Sequence, residues 1–268
     1  MSFSADWLAL REPYDRRARN GEVVAAVATA LAALPSVQVV DLACGTGSTV
    51  RALSEHLPRR QNWRLADNDL GLLARAKAMP LADGVTITAV PVDLNRDLEA
   101  ALDGPVDLVT TSAFLDLVSR DWLDRLVTEI AARAIPIYAA LTYDGRVDIS
   151  PRDPGDAAII AAVNKHQTTD KGFGAALGPG AAGYAVDRFE RLAYAVTRRS
   201  SDWAMGPSDR DIQTEIFAGW AGAAQEVGAV SLNEAASWLK RRRAHVAAGT
   251  SSMRVGHVDF FAAPTGTR

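Results

Sequence analysis

Two hydrophobic textures alternate along the chain. One is a short β-branched run closed by turn residues. The other is a longer stretch with apolar positions three and four residues apart. The first segment, Asp6-Trp7-Leu8-Ala9-Leu10, leads into a polar patch over residues 11–19 and reads as helix. Residues 23–34 predict an alanine-rich helix that stops before Pro35. Residues 37–42 are a β-branched run between Pro-Ser and Gly-Thr-Gly, the signature of a buried parallel strand. Further strands are predicted over 63–67, 85–90, 106–111 and 135–142. Between them lie helices over 48–57, over a segment capped by Asn68 or Asp69 and running to Lys77, and over 122–133. The last of these has Leu123, Leu126, Val127 and Ile130 on one stripe.

Five strands alternating with helices argue for an α/β fold: a doubly wound, mostly parallel sheet with helices on both faces. Past residue 145 the texture changes. Residues 148–155 carry turn chemistry, and a short apolar helix covers 157–164. A polar, glycine-bracketed segment, 166–174, then precedes Gly178-Pro179-Gly180. Helices follow over 182–192, 211–226 and 232–247, with strands over 193–198 and 254–262. The expected sheet therefore has seven strands. Trp203, Trp220 and Trp238 are expected in the core, and His257 is expected to be structural within the last strand.

Composition narrows the function. The net charge of −3, with both signs interleaved, gives no field for a phosphate backbone, so no nucleic-acid partner is expected. The basic run Lys240-Arg241-Arg242-Arg243 reads as a solvated helix face or a helix C-terminal cluster. A single cysteine, Cys44, excludes an internal disulfide and a multi-cysteine zinc site, and no metal is expected. No apolar stretch is long enough for a bilayer span, and no secretory pattern opens the chain, so a cytoplasmic protein without membrane partners is the default.

The chemistry concentrates in the turn after the first strand, Asp41-Leu42-Ala43-Cys44-Gly45-Thr46-Gly47. Glycines there let a ligand approach the backbone. A dinucleotide site needs a third glycine, and Val50 stands in its place. The run instead resembles the first motif of class I S-adenosylmethionine (SAM)-dependent methyltransferases: an acidic residue at the strand end, three residues, then Gly-x-Gly. Asp67 ends the next strand about 20 residues past the glycines. Val92-Asp93-Leu94 follows the third strand, and Asp107 to Ala113 resembles the fourth-strand motif.

The resemblance covers roughly residues 10–145 and implies a Rossmann-like methyltransferase fold with SAM as cofactor. It implies that Asp41, Ala43, Cys44, Gly45 and Gly47 bind the cofactor, with the backbone of the glycine turn holding the methionine part. It puts the ribose hydroxyls on Asp67 beside Asn68, and the adenine near Asp93 and Leu94. Thr111 and Ser112 would face the sulfur. Asp41 can equally cap the turn, and Asp67 the following helix. Arg11, Tyr14 and Arg19 on the N-terminal helix either touch the ligands or form a solvated basic face. The stretch from Trp7 to Pro13 is similar to the start of uncharacterised bacterial methyltransferases. One methyltransferase unit over 1–268 is expected, with a helical cap at 1–35, a SAM-binding half at 36–145 and a substrate-side part at 146–268.

Methyl transfer needs the acceptor held near the sulfonium and one proton managed, without metal. The acceptor is expected to be a small molecule. His166 is the candidate base, or else a surface histidine. Lys171, Gln167 and Arg11 are the candidate substrate ligands. An NAD-type oxidoreductase and a non-catalytic binding protein of the same fold are the competing readings.

Overall fold

A computed structural model describes residues 3–266. The central sheet is wound from β1 (Val37–Leu42), β2 (Gln61–Asp67), β3 (Val85–Pro91), β4 (Leu108–Ser112), β5 (Ile137–Ser150), β6 (Tyr194–Ser200), β7 (Trp203–Met205) and β8 (Ser252–Pro264). Their order is β3-β2-β1-β4-β5-β8-β6, with β7 attached to β8. The first five strands run parallel, and β8 is antiparallel to each of its neighbours. The order reverses between β1 and β4, and this switch point opens a crevice at the carboxyl edge.

Helices α1 (Ala5–Ala18) and α2 (Gly21–Leu31) precede the sheet; α3 (Ser48–Leu53), α4 (Leu70–Lys77), α5 (Leu98–Ala101) and α6 (Arg120–Ala132) connect its parallel strands. Then come α7 (Asp156–His166), α8 (Ala181–Arg191), α9 (Arg210–Glu226) and α10 (Leu232–Ala247). One face of the sheet buries Leu98, Trp122, Leu126, Ile130 and Phe189 from α5, α6 and α8. The other buries Val23, Val27, Leu53 and Leu73 from α2, α3 and α4 against Val39, Trp63 and Tyr138. Two covered faces explain why every residue of β1 but Gln38, and of β4 but Ser112, is buried.

Two expectations are corrected. The sheet has eight strands rather than seven. The extra one, β7, is three residues long and too short to show a period. The fifth strand runs on to Ser150 instead of ending at Thr142, so residues 148–150, read as turn, belong to the ladder. Register shifts after Ala139 and after Tyr143 break the alternation that would have revealed the extension, and Leu141 and Gly145 take positive φ there.

The extension of β5 has a structural consequence. Beyond the register shifts it pairs with the first half of β8, where β4 no longer flanks it. A third core forms on it, built from Tyr143, Ile149, Ile159, Trp203, Ile216, Phe217 and Trp238. Trp7, Leu10 and Tyr14 of α1 pack against that core. In the basic run on α10, expected as a solvated face or a helix C-terminal cluster, Lys240, Arg241 and Arg243 are exposed and Arg242 is not. Arg242 is fully buried, donating Nη1–H to Pro151 O at 2.6 Å and Nε–H to Asp156 at 3.0 Å. Arg241 forks onto Asp153. The two arginines staple α10 to the start of α7. His257 lies buried between Trp203 and Tyr143, and desolvation pushes its imidazole down to about 3. It is neutral packing.

Candidate active site

The carboxyl edge between β1 and β4 opens into a cavity of about 270 Å³. Its floor is the turn after β1. Ala43, Gly45 and Gly47 all have positive φ, which lets the chain fold back tightly. The Gly45 N–H donates to Asp67 Oδ2 at 2.9 Å, and the Asp69 N–H donates to Asp67 Oδ1 at 3.0 Å. One carboxylate therefore braces two turns, and both turns line the cavity. Asp69 caps α4 through the Gly71 and Leu72 N–H groups, as the sequence predicts.

Of the expected cofactor residues, Ala43, Cys44, Gly45, Asp67, Asn68, Asp93, Leu94 and Ser112 form walls of this cavity. Asp41, Gly47, Thr111, Arg19 and Tyr14 do not. A Cβ on Gly47 would sit 2.1 Å from Met79 Cε, so this glycine serves close packing. Asp41 is fully buried beneath the turn, where Thr110 Oγ1 donates to its Oδ1 at 2.7 Å. Burial pushes its carboxyl up to about 7, against the opposing pull of the Thr110 hydroxyl and the Arg19 charge. Arg19 lies one layer below Ser112, donating to its Oγ at 3.2 Å and to the Tyr138 hydroxyl at 3.3 Å. Thr111 donates to Leu42 O. Tyr14 donates to Asp209 and anchors α1 to α9. Burial also pushes the Cys44 thiol up, so it is no nucleophile.

The remaining walls come from α1 and from the segment after α7. Leu8, Arg11 and Asp15 share one face of α1. Arg11 forks onto Asp15 at 2.9 and 3.0 Å and lies 4.8 Å above the Trp203 ring, whose N–H also donates to Asp15. Glu12 ties α1 to the glycine turn through Arg51, which also donates to Thr46 O at 2.7 Å. Lys171, Gly172 and Phe173 line the cavity. Asp170 caps the Gly172 and Gly174 N–H groups, and Asn95 donates to Gly172 O at 3.0 Å. Phe173 meets Phe114 and Trp122 edge-on at 5.2 and 5.6 Å.

His166 and Gln167 stand behind this wall. His166 Nε2 lies 2.9 Å from Glu226, and Gln167 donates to Asp116 at 3.2 Å. Sequence reasoning missed Leu8, Asp15, Asn95, Phe114 and Phe173 as walls. The spacing of residues 8, 11 and 15 was a usable signal for the α1 face. Nothing local marks Asn95.

Residues 39–136 match a family model described as "Methyltransferase domain". A comparison with curated protein sequences finds no match. Among solved structures, the chain is similar to the cyclopropane synthase MmaA2 from Mycobacterium tuberculosis, with 12% identity over 97% of this chain and 94% of that one and a TM-score of 0.52. It is also similar to a cyclopropane-fatty-acyl-phospholipid synthase-like protein from Lactobacillus casei, with 15% identity, the same coverage and a TM-score of 0.55. At such identities the two likenesses speak for the fold alone. The glycine turn and most of β1 to β4 thus lie within a stretch that matches a methyltransferase domain, on a doubly wound sheet whose order reverses at that turn.

Proposed function

We propose that the cavity holds SAM and presents its methyl group to a small-molecule acceptor. The observation that carries this reading is the Asp67 carboxylate in the cavity wall. Each of its oxygens accepts one backbone N–H and keeps a lone pair for a ribose hydroxyl. The donor set fits the rest of the cofactor. The backbone of Ala43, Cys44 and Gly45 would hold the methionine part. Asn68, Asp93 and Leu94 would surround the adenine, and Ser112 would face the sulfur. Asp41, Gly47, Thr111, Arg19 and Tyr14 would act from behind, by shaping the turn, setting Ser112 and fixing α1.

SAM supplies an electrophilic methyl on a sulfonium. The chain's own task is to orient the acceptor, exclude water and move one proton. Arg11 and Lys171 would orient the acceptor from α1 and from the loop after α7, with His166 and Gln167 supporting Lys171 and its loop. A bacterial, cytoplasmic setting belongs to the same proposal: it rests on the Trp7-to-Pro13 stretch and on a lone, buried cysteine.

Titration calorimetry tests the reading. SAM should bind the wild-type chain at one site, and NAD should not bind. Asp67→Ala should weaken SAM about 10-fold or more, since a hydrogen bond to a charged group contributes roughly 1.5–3 kcal/mol. Unchanged affinity in a folded variant removes Asp67 from the site.

A further inference from the structure

Behind the cavity wall three side chains form a line from the interior to the surface. Lys171 is buried and lines the cavity. Its Nζ lies 3.1 Å from His166 Nδ1, 3.2 Å from Nε2 and 2.9 Å from Thr169 Oγ1. His166 Nε2 in turn lies 2.9 Å from a carboxylate oxygen of Glu226, an exposed side chain at the end of α9. The carboxylate can only accept, so Nε2 carries the hydrogen and Nδ1 keeps its lone pair for a Lys171 N–H. Thr169 gives its own hydrogen to His166 O at 2.8 Å and so accepts a second N–H from the lysine. With the bond to Cε, three of the four tetrahedral directions at Nζ are thereby used, and one is left for the lone pair. No carboxylate pairs directly with Lys171 among the described residues.

We infer that Lys171, rather than His166, takes the acceptor's proton, and that His166 and Glu226 pass it to the surface. This rests on the reading of the cavity as the SAM and acceptor site. The acceptor is a hydroxyl or N–H group. Its lone pair forms the new bond to the methyl carbon as the carbon–sulfur bond breaks and leaves its electron pair on sulfur. The acceptor's proton goes to the Nζ lone pair. The ammonium so formed gives a proton to His166 Nδ1, Nε2–H goes to Glu226, and water removes it from the exposed carboxylate. Lys171 is the catalytic group; His166 and Glu226 are positioning residues that act through it.

The surroundings suit an amine base. Burial pulls the Lys171 ammonium below the usual lysine range, and the Glu226 charge partly opposes this. The other titratable groups nearby are Asp170, which is committed to the Gly172 and Gly174 N–H groups, and Asp93, which also lines the cavity. Arg11, the other cation in the wall, is held by Asp15 and can take no proton.

The test follows the lysines directly. The chain has four, Lys77, Lys165, Lys171 and Lys240, and all but Lys171 are exposed. Titration by NMR of protein labelled at lysine Cε, with Lys171→Met for assignment, resolves each of them. Lys171 should titrate below the other three. Glu226→Gln should shift it lower still, and Glu226→Asp should restore it. Bound SAM, with its sulfonium charge, should depress it more than bound S-adenosylhomocysteine. A Lys171 that titrates with the surface lysines, or that ignores Glu226→Gln, overturns the relay. SAM that binds normally and leaves Lys171 unmoved overturns it while sparing the cofactor reading. SAM that fails to bind overturns the cofactor reading, and the relay with it.

Discussion

Asp67 and Gly45, 22 positions apart, build one part of the cavity together. The glycine's N–H and the carboxylate meet across the cavity floor, so each sets the other's geometry. A side chain at position 45 would start 3.3 Å from Leu8 Cδ1 and from a left-handed backbone. Gly45→Val should therefore abolish SAM binding in calorimetry while far-ultraviolet circular dichroism stays native. Strain at the left-handed residue costs only about 1–2 kcal/mol. Normal SAM affinity in this variant would make the turn purely structural. Asp41 offers a test by pH. Its carboxyl titrates near 7 when folded, above its value of 3.8 in the unfolded chain. The folded state then holds a proton that the unfolded chain has released. The associated stability is complete below pH 3.8 and is lost as pH rises through 7, by up to roughly 4 kcal/mol. Asp116, pushed up to about 6 by burial, contributes in the same sense. Urea denaturation at pH 5 and pH 8 should show a smaller loss in Asp41→Asn than in wild type. Equal losses would mean that Asp41 stays ionised in the fold. Residue types and spacing pointed to Asp67, which lines the cavity, because the strand ends there. They did not reveal that Asp41 lies under the turn, since depth is set by how β1 and β4 pair.

The elements were legible in proportion to how much of their pattern is local. The parallel strands and their helices follow from apolar runs and turn residues, and Asp69 was one of two neighbouring residues, with Asn68, recognisable as the cap of α4. The extension of β5 was not. Its two register shifts erase the period of two, and its partner, the first half of β8, lies about a hundred residues away. The arginine run on α10 was misread for a similar reason, because its partners Asp153 and Asp156 sit at the start of α7. A buried Arg242 makes a sharp expectation. Arg242→Met should destabilise the chain by about 3–5 kcal/mol, because it leaves the Asp156 charge met only by neutral donors, the Trp238 N–H and the Asp153 backbone N–H. Urea denaturation gives the loss, and hydrogen exchange should locate it in α7 and α10. A change below about 1 kcal/mol would show that the pair contributes little.

At the scale of the whole molecule, the sheet supplies the cofactor floor while α1 and the segment after α7 supply the remaining walls. The third core, built on the extended β5 and β8, holds α1 through Trp7, Leu10 and Tyr14. Of the four acceptor-side residues expected from sequence, Lys171 and Arg11 reach the cavity, and His166 and Gln167 do not. Class and cofactor were readable because their motifs sit on consecutive strand ends. The acceptor side depends on a loop whose fold is set by Asp170, Asn95 and Phe173, contacts that no local pattern announces. A crystal structure with S-adenosylhomocysteine measures the central claim most directly. The account expects the ribose hydroxyls on the Asp67 carboxylate, the adenine beside Asp93 and Leu94, and the sulfur on the side of Ser112 and Lys171. A ribose bound away from Asp67, or a sulfur turned away from Lys171 toward solvent, would contradict it.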